Sequence, residues 1–291
     1  MTQPAKDKVG QSAAPPAARP KWWHIRWGIF RYLAVLYLLI CVALMIIEEN
    51  LIFFPAAHPA GNWKPPALAF EDAWFEAADG TKLHGWYLPH ESPRAHVLFA
   101  PGNAGNLTYR TDRLRHLHGT LQTAVLIFDY RGYGKSQGKP DEPGILSDAR
   151  AARHWLAERA KIDEKAIVLI GESLGGGVMV DLASRDGARG LVLENTFTSL
   201  PDVAAYHYPA FPVKLLMKNR LASIEKIKNY HGPLLVCHGA ADQTVPYELG
   251  RRLFDAANDP KEFVKMAGHD HNDPLPDEYY QALDAFVGKL P

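Results

Sequence analysis

The chain has 291 residues, 47% hydrophobic and 22% charged, enough for one α/β domain of ordinary size and an appendage. Lys plus Arg and Asp plus Glu both number 32, a balance that argues against a nucleic-acid partner, which would leave a basic excess. The two cysteines fall in different settings, Cys41 in an apolar N-terminal run and Cys237 in a predicted core strand. No disulfide is expected between them, and the cysteine count does not reveal the compartment.

Residues 1–27 read as a tail. The first 20 are rich in Pro, Ala and polar residues, as disordered segments are, and the aromatic, basic cluster Lys21-Trp22-Trp23-His24-Ile25-Arg26-Trp27 follows. Residues 28–47 form an apolar run of about 20 residues, one bilayer thickness as a helix. Its one charge, Arg31, lies near an end, where it can snorkel, and Trp22, Trp23 and Trp27 suit an interfacial belt. A cleaved signal peptide is the alternative. The run is long for one, and it leads straight into Glu48-Glu49-Asn50 without a small-x-small site. A lipoprotein signal ending at Cys41 fits poorly, because apolar residues continue past it. Lys6, Lys8, Arg19, Lys21, Arg26 and Arg31 precede or open the run, and acidic residues follow it. The expectation is a single-pass anchor with a cytoplasmic N-terminus and the remaining chain on the non-cytoplasmic side, in periplasm, exterior or lumen.

Residues 48–70 carry Pro55, Pro59, Pro65 and Pro66 among Phe53, Phe54 and Trp63, and read as an irregular juxtamembrane segment before a domain over 71–291. Strands are expected at 72–78 and 82–88, joined through Asp79-Gly80 as a hairpin. Further short apolar strands are expected at 96–100, 123–128, 167–170, 190–193, 234–237 and 262–266. Helical spacing covers 107–118, 145–160, the stretch after Ser173 to about 184, 246–257 and 277–288. This alternation predicts an α/β fold with a mostly parallel sheet covered on both faces. Segment 197–230, with Pro201, Pro209, Pro212, Tyr206, His207, Tyr208 and Phe211, breaks the rhythm. It is either a small cap or a surface helix and loop.

Chemistry concentrates where strands end. Gly171-Glu172-Ser173-Leu174-Gly175 follows four aliphatic residues and opens a helix, the pattern of a strained strand-to-helix elbow that lifts one serine above a sheet. Downstream strand ends supply Asp242 and His271, in the order Ser…Asp…His expected of an α/β-hydrolase. A serine hydroxyl needs a base to take its proton, and the base needs an acid to fix its tautomer. Ser173 is therefore the candidate nucleophile, His271 the base with His269 as second choice, and Asp242 the acid with Glu194 competing. Backbone N–H groups of Leu174 and Asn103 are the candidate oxyanion donors. His238 and Asp129 are expected to support turns, and Arg131 and Tyr133 to belong to a structural turn rather than the site. No cluster has metal-ligand spacing and no phosphate loop is present, so neither metal nor cofactor is expected.

Gly102-Asn103-Ala104-Gly105-Asn106, Asp129-Tyr130-Arg131-Gly132-Tyr133-Gly134-Lys135-Ser136, Gly171-Glu172-Ser173-Leu174-Gly175-Gly176, His238-Gly239-Ala240-Ala241-Asp242 and His271-Asn272-Asp273 occur in that order. The set resembles the α/β-hydrolase superfamily, specifically its membrane-associated serine hydrolases, over roughly residues 50–290. The resemblance implies Ser173 as nucleophile, Asp242 as acid, His271 rather than His269 as base, and Asn103 and Leu174 as oxyanion donors. Where the family usually has His before Gly-Asn, this chain has Pro101. The function to expect is hydrolysis of an acyl ester or thioester, lipid-like or lipidated, through an acyl-enzyme and without a cofactor. A peptidase on the same fold, and a non-catalytic binding or scaffold protein, are the alternatives.

Overall fold

The computed structural model describes residues 22–291, with side chains from Arg26 onward. The expected tail lies outside the described residues as far as 21. From Trp22 the chain is helical, so the helix begins six residues earlier than expected: nothing between Pro20 and Gly28 breaks a helix, and the apolar run propagates back through the aromatic cluster. This helix, α1, runs Trp22–Ile46, and its Arg26–Ile46 stretch is long and apolar enough to cross a membrane by length and composition. Among the described residues the chain divides after Leu44 into two compact units.

The second unit opens with α2 (Glu48–Ile52) and a two-residue strand β1 (Phe54–Pro55). Then come β2 (Glu71–Glu76), β3 (Lys82–Leu88), β4 (His96–Ala100), the short β5 (Ala104–Gly105), α3 (Thr111–Arg115), β6 (Ala124–Asp129) and α4 (Glu142–Ala160). β7 (Ile167–Glu172), α5 (Leu174–Asp186) and β8 (Gly190–Glu194) follow, then three short helices, α6 (Leu200–His207), α7 (Val213–Leu216) and α8 (Ser223–Lys226). The chain finishes with β9 (Leu234–Gly239), α9 (Tyr247–Ala256), β10 (Lys261–Met266) and α10 (Asp277–Lys289). Eight strands form one sheet in the order β10-β9-β8-β7-β4-β6-β3-β2. β3 pairs antiparallel with both neighbours and every other pairing is parallel, so β3 alone runs against the rest. This is the α/β-hydrolase fold, with a mostly parallel sheet flanked by helices.

The central strands read as unbroken apolar runs because both faces are covered. Leu98, Leu126, Leu169 and Leu191 pack with Ile145 and Leu156 of α4, Val178 and Met179 of α5, and Leu253 of α9. Their sequence neighbours Val97, Val125, Val168 and Val192 join Leu114 of α3 and Tyr279 and Leu283 of α10 in the second core cluster. The period-2 alternation of side chains therefore feeds two cores from the same strands. Both cysteines are free.

Two segments depart from expectation. The helix expected over 107–118 is a 3-10 turn (Leu107–Arg110), then α3, then a π-helical turn (His116–Thr120). Its start is tied down elsewhere: Asn106 caps the turn through Thr108 N–H, and the Leu107 N–H is taken by Asp129. The juxtamembrane segment, expected to be irregular, contains α2 and β1, and β1 pairs in parallel with β5.

Candidate active site

Ser173 joins β7 to α5 in the left-handed half of backbone space, at φ +51° and ψ −112°. The turn requires glycine on either side. A Cβ on Gly171 would come within 2.5 Å of the Gly175 carbonyl oxygen, and one on Gly175 would run into the Ala100 carbonyl. Three bonds hold the strained backbone: its N–H donates to Glu194 O at 2.8 Å, and its carbonyl accepts Thr196 Oγ1 at 2.8 Å and Gly176 N–H at 3.0 Å.

The structure brings the expected base and acid to this serine. His271 Nε2 lies 3.0 Å from Ser173 Oγ, and His271 Nδ1 lies 2.7 Å from Asp242 Oδ2. Asp242, just past β9, also accepts the N–H groups of Thr244 and Val245 at 2.9 and 2.7 Å on Oδ1. His238 sits fully buried behind it, with Nε2 3.4 Å from Oδ2 and 3.0 Å from Val245 O. Burial works to raise the Asp242 carboxyl, but the hydrogen bonds from His238, His271 and Val245 outweigh it and hold the group down at about 2. The loop after β10 is braced as well. Asp270 Oδ1 accepts from His271 N–H and Gln243 N–H, at 2.7 and 2.8 Å. Asn195 spans the gap, donating to His271 O at 3.1 Å and accepting from Gly239 N–H at 2.9 Å.

The two alternatives are placed elsewhere. His269 makes no hydrogen bond to Ser173 or Asp242; its carbonyl accepts Ala241 N–H at 3.0 Å. Glu194 is buried against Arg113, and both the Arg113 guanidinium and the Tyr279 hydroxyl donate to its Oε1. Burial alone would lower the Arg113 guanidinium, and the Glu194 carboxylate reverses this, holding it well above its usual range. Burial pushes the Glu194 carboxyl up against the pull of Arg113 and Tyr279, and its Oε1 is occupied by these two donors rather than by an imidazole.

On the opposite flank of Ser173 lies the Gly102–Asn106 loop. Leu174 occupies the first turn of α5, where helices leave N–H groups without intrahelical partners. The Asn103 N–H has no acceptor among the described residues. Its other groups are fixed from two directions. Its side-chain amide donates to Ile52 O at 2.7 Å, and its carbonyl accepts both Phe54 N–H at 3.0 Å and the Tyr133 hydroxyl at 2.7 Å. The Tyr130 hydroxyl donates to Pro101 O at 3.0 Å, and Asn106 donates to Ala56 O and Ala60 O, each at 2.9 Å. Arg110 forms a two-bond fork on Glu172, at 2.7 and 2.6 Å, tying this loop to the residue before the serine. Arg131 points away and pairs with Asp148 and Asp79, both at 2.8 Å. Asp129 anchors the loop by accepting Leu107 N–H at 2.7 Å, while its second oxygen has no partner. Burial pushes this carboxyl up to about 7.

A cavity of about 370 Å³ opens at Ser173. Ile52, Phe197, Leu200, Val203, Met217 and Val245 make its apolar walls, and no carboxylate, ammonium or guanidinium is among its lining residues, which include His207 and Tyr208. Much of the wall comes from segment 197–230, chiefly from α6, with Phe197 before it, Tyr208 at its end and Met217 just after α7. Its N-terminal wall comes from α2 and β1.

Sequence reasoning placed Ser173, Asp242, His271, Asn103 and Leu174 in one neighbourhood, and the structure has them there. It missed what holds them. Tyr130 and Tyr133 grip the loop through their hydroxyls, a role signalled only by two tyrosines in a buried glycine-rich turn. The contribution of Ile52 and Phe54 carried no signal, because backbone pairing leaves no mark on residue type.

The matching family model, described as alpha/beta hydrolase fold, covers residues 95–223. Protein Rv2307c of Mycobacterium tuberculosis is 43% identical over 229 residues, 78% of this chain and 81% of that one. The alpha/beta hydrolase domain-containing protein WAV2 of Arabidopsis thaliana is 34% identical over 258 residues, 80% of this chain and 84% of its own. The chain belongs to the α/β-hydrolase family. Among solved structures, the Pyrococcus furiosus esterase Pf2001 superposes with a TM-score of 0.68 at 20% identity, covering 81% of this chain and 99% of its own. At that identity the likeness speaks for the fold alone.

Proposed function

We propose that this protein is a membrane-anchored serine hydrolase that cleaves carboxylic ester or thioester bonds through an acyl-enzyme. The observation that carries the reading is the unbroken line from Asp242 Oδ2 through His271 to Ser173 Oγ, at 2.7 and 3.0 Å, opening into an apolar cavity. His271 takes the hydroxyl proton as Ser173 attacks the acyl carbon. Asp242, ionised at neutral pH, holds the Nδ1–H tautomer and stabilises the imidazolium. The oxyanion meets the N–H groups of Asn103 and Leu174. His271 then protonates the leaving alkoxide or thiolate. Water, deprotonated by the same imidazole, releases the acid and restores the serine.

An apolar wall with no carboxylate or ammonium suits an uncharged hydrocarbon acyl group. The helices of 197–230 act as a small cap over that group. The Arg26–Ile46 helix anchors the chain with its N-terminus in the cytoplasm and the hydrolase domain on the other side. A fluorophosphonate probe tests the chemistry: the folded protein is expected to label covalently and the Ser173→Ala variant not at all. Folded wild type that stays unlabelled and turns over no acyl ester refutes the reading.

A further inference from the structure

Beyond residue 48, seven large apolar or aromatic side chains are exposed among the described residues, and six of them lie on segments around the cavity mouth: Leu51, Phe54, Tyr109, Tyr206, Tyr208 and Leu215. Only Trp74 sits elsewhere, on β2 at the sheet edge. Leu51, Phe54 and Tyr208 line the mouth itself. The Tyr206 ring stands 5.1 Å from that of His207, another lining residue, and Leu215 projects from the neighbouring α7 at 84% exposure. Tyr109 packs beside Gly105, which pairs with Pro55 of β1. Scattered single exposures are ordinary on a soluble surface, whereas a grouped set marks a surface that meets another apolar phase.

We infer that this rim is seated on the lipid surface, so that the cavity opens into the acyl region of the bilayer and a substrate chain enters without crossing water. The inference rests on the membrane-anchored reading above. Covalent reach argues for lipid as the occupant. Five residues carry the chain from Ile46, the end of the apolar helix, to Leu51 on the rim, a span of at most about 18 Å. The rim is tethered next to a bilayer if α1 is in one. Charge fits the same occupant: exposed Lys218 and Arg220 lie within five residues of Leu215 in the chain, of the sign that attracts anionic headgroups, while Lys214 beside it is paired with Asp202 at 2.6 Å. Tyrosines suit the remaining positions, because their rings sit at the headgroup level with the hydroxyl in water.

The test uses the full chain in vesicles of phosphatidylcholine containing phosphatidylglycerol, with flotation reporting the anchor separately. An environment-sensitive fluorophore is placed at Leu215→Cys, and as a control at Lys289→Cys, near the amino ends of the strands. The label at 215 is expected to shift to the blue and be quenched by lipid-borne nitroxides, and the label at 289 to behave as in water. A 215 label indistinguishable from the 289 label, in protein that floats with the vesicles, overturns the inference. So does a shift that appears only at high protein density, which would indicate a second copy of the chain on the rim. A second measurement reads function. The double variant Tyr206→Asp, Leu215→Asp is expected to lose roughly tenfold in turnover of a long-chain ester held in the vesicles while keeping its turnover of a short soluble ester. Equal loss on both substrates refutes the rim. Absence of Ser173-dependent turnover on either substrate refutes the hydrolase reading instead, and leaves the fluorophore to decide the rim.

Discussion

Two aspartates at strand ends flank Ser173, and they titrate in opposite directions. Asp242, on the side of the base, is held down at about 2. Asp129, on the side of the Gly102–Asn106 loop, is pushed up to about 7. Both are buried, so desolvation is common to them and the difference lies in their partners. Asp242 has two backbone N–H groups and two imidazoles around its oxygens. Asp129 has one N–H and an oxygen with nothing on it. The count of donors decides the sign. The two regions differ in the same manner in their bracing. The acid and base loops hold each other through Asp270 and Asn195, all from the last hundred residues. The opposite loop is held from far away in sequence, by Ile52 and Phe54 just beyond the apolar helix and by the hydroxyls of Tyr130 and Tyr133.

The largest effect should come from breaking the Asp242 side. His271→Ala is expected to lower kcat by ~10⁴-fold or more, because the serine loses its base. His269→Ala should stay within a few fold, since its ring makes no hydrogen bond to Ser173 or Asp242 among the described residues. Ester turnover by the two variants checks this. Loss with His269→Ala and retention with His271→Ala would reverse the assignment.

The next effect breaks the other side. Asn103→Ala keeps the N–H proposed to meet the oxyanion but removes the bond to Ile52 O. The donor then loses one of its fixings, and kcat should fall ~10–100-fold with KM within about twofold, because misplacement is felt in the transition state rather than in binding. Asn103 already lines the cavity, and a rise in KM with kcat unchanged would instead mean that its side chain serves substrate binding. Tyr133→Phe removes one of two donors to the same carbonyl while Phe54 N–H remains. Its cost should be near that of one hydrogen bond, ~1 kcal/mol, or about fivefold in kcat.

Legibility in the sequence follows the same division. The sheet was readable because both of its faces are covered, which makes each central strand an apolar run such as Ile167–Ile170. That Ser173, Asp242 and His271 come together was readable because each offers a particular side chain at a strand end. Choosing His271 over His269 took the resemblance to a family, since two histidines two residues apart carry the same chemistry on paper. The bracing of Asn103 was not readable: Ile52 contributes a carbonyl and Phe54 an N–H, groups that every residue other than proline possesses. The early helix start at Trp22 and the broken helix after Asn106 were hidden for a related reason, since each is set by what adjoins the segment rather than by its own composition.

The smallest effect on rate, and the sharpest on pH dependence, concerns Asp129. A carboxyl whose folded pKa is raised contributes stability that is complete below its ordinary value of 3.8 and gone once the pH has risen through about 7. Over that window the native state must either keep the proton or carry a charge with a single donor. Asp242 has the reverse sign, with its contribution present above 3.8 and lost as the pH falls through about 2. Asp129→Asn retains an oxygen for the Leu107 N–H and cannot ionise. The variant should turn over ester within about twofold of wild type at pH 6, because the loop stays anchored. Denaturant midpoints measured from pH 4 to pH 8 should decline with rising pH in wild type and flatten in the variant. An unchanged slope would mean that Asp129 is not the group titrating in that window. A flattened slope accompanied by a large loss of kcat at pH 6 would mean that the amide fails to hold Leu107, and that the loop depends on the carboxyl itself.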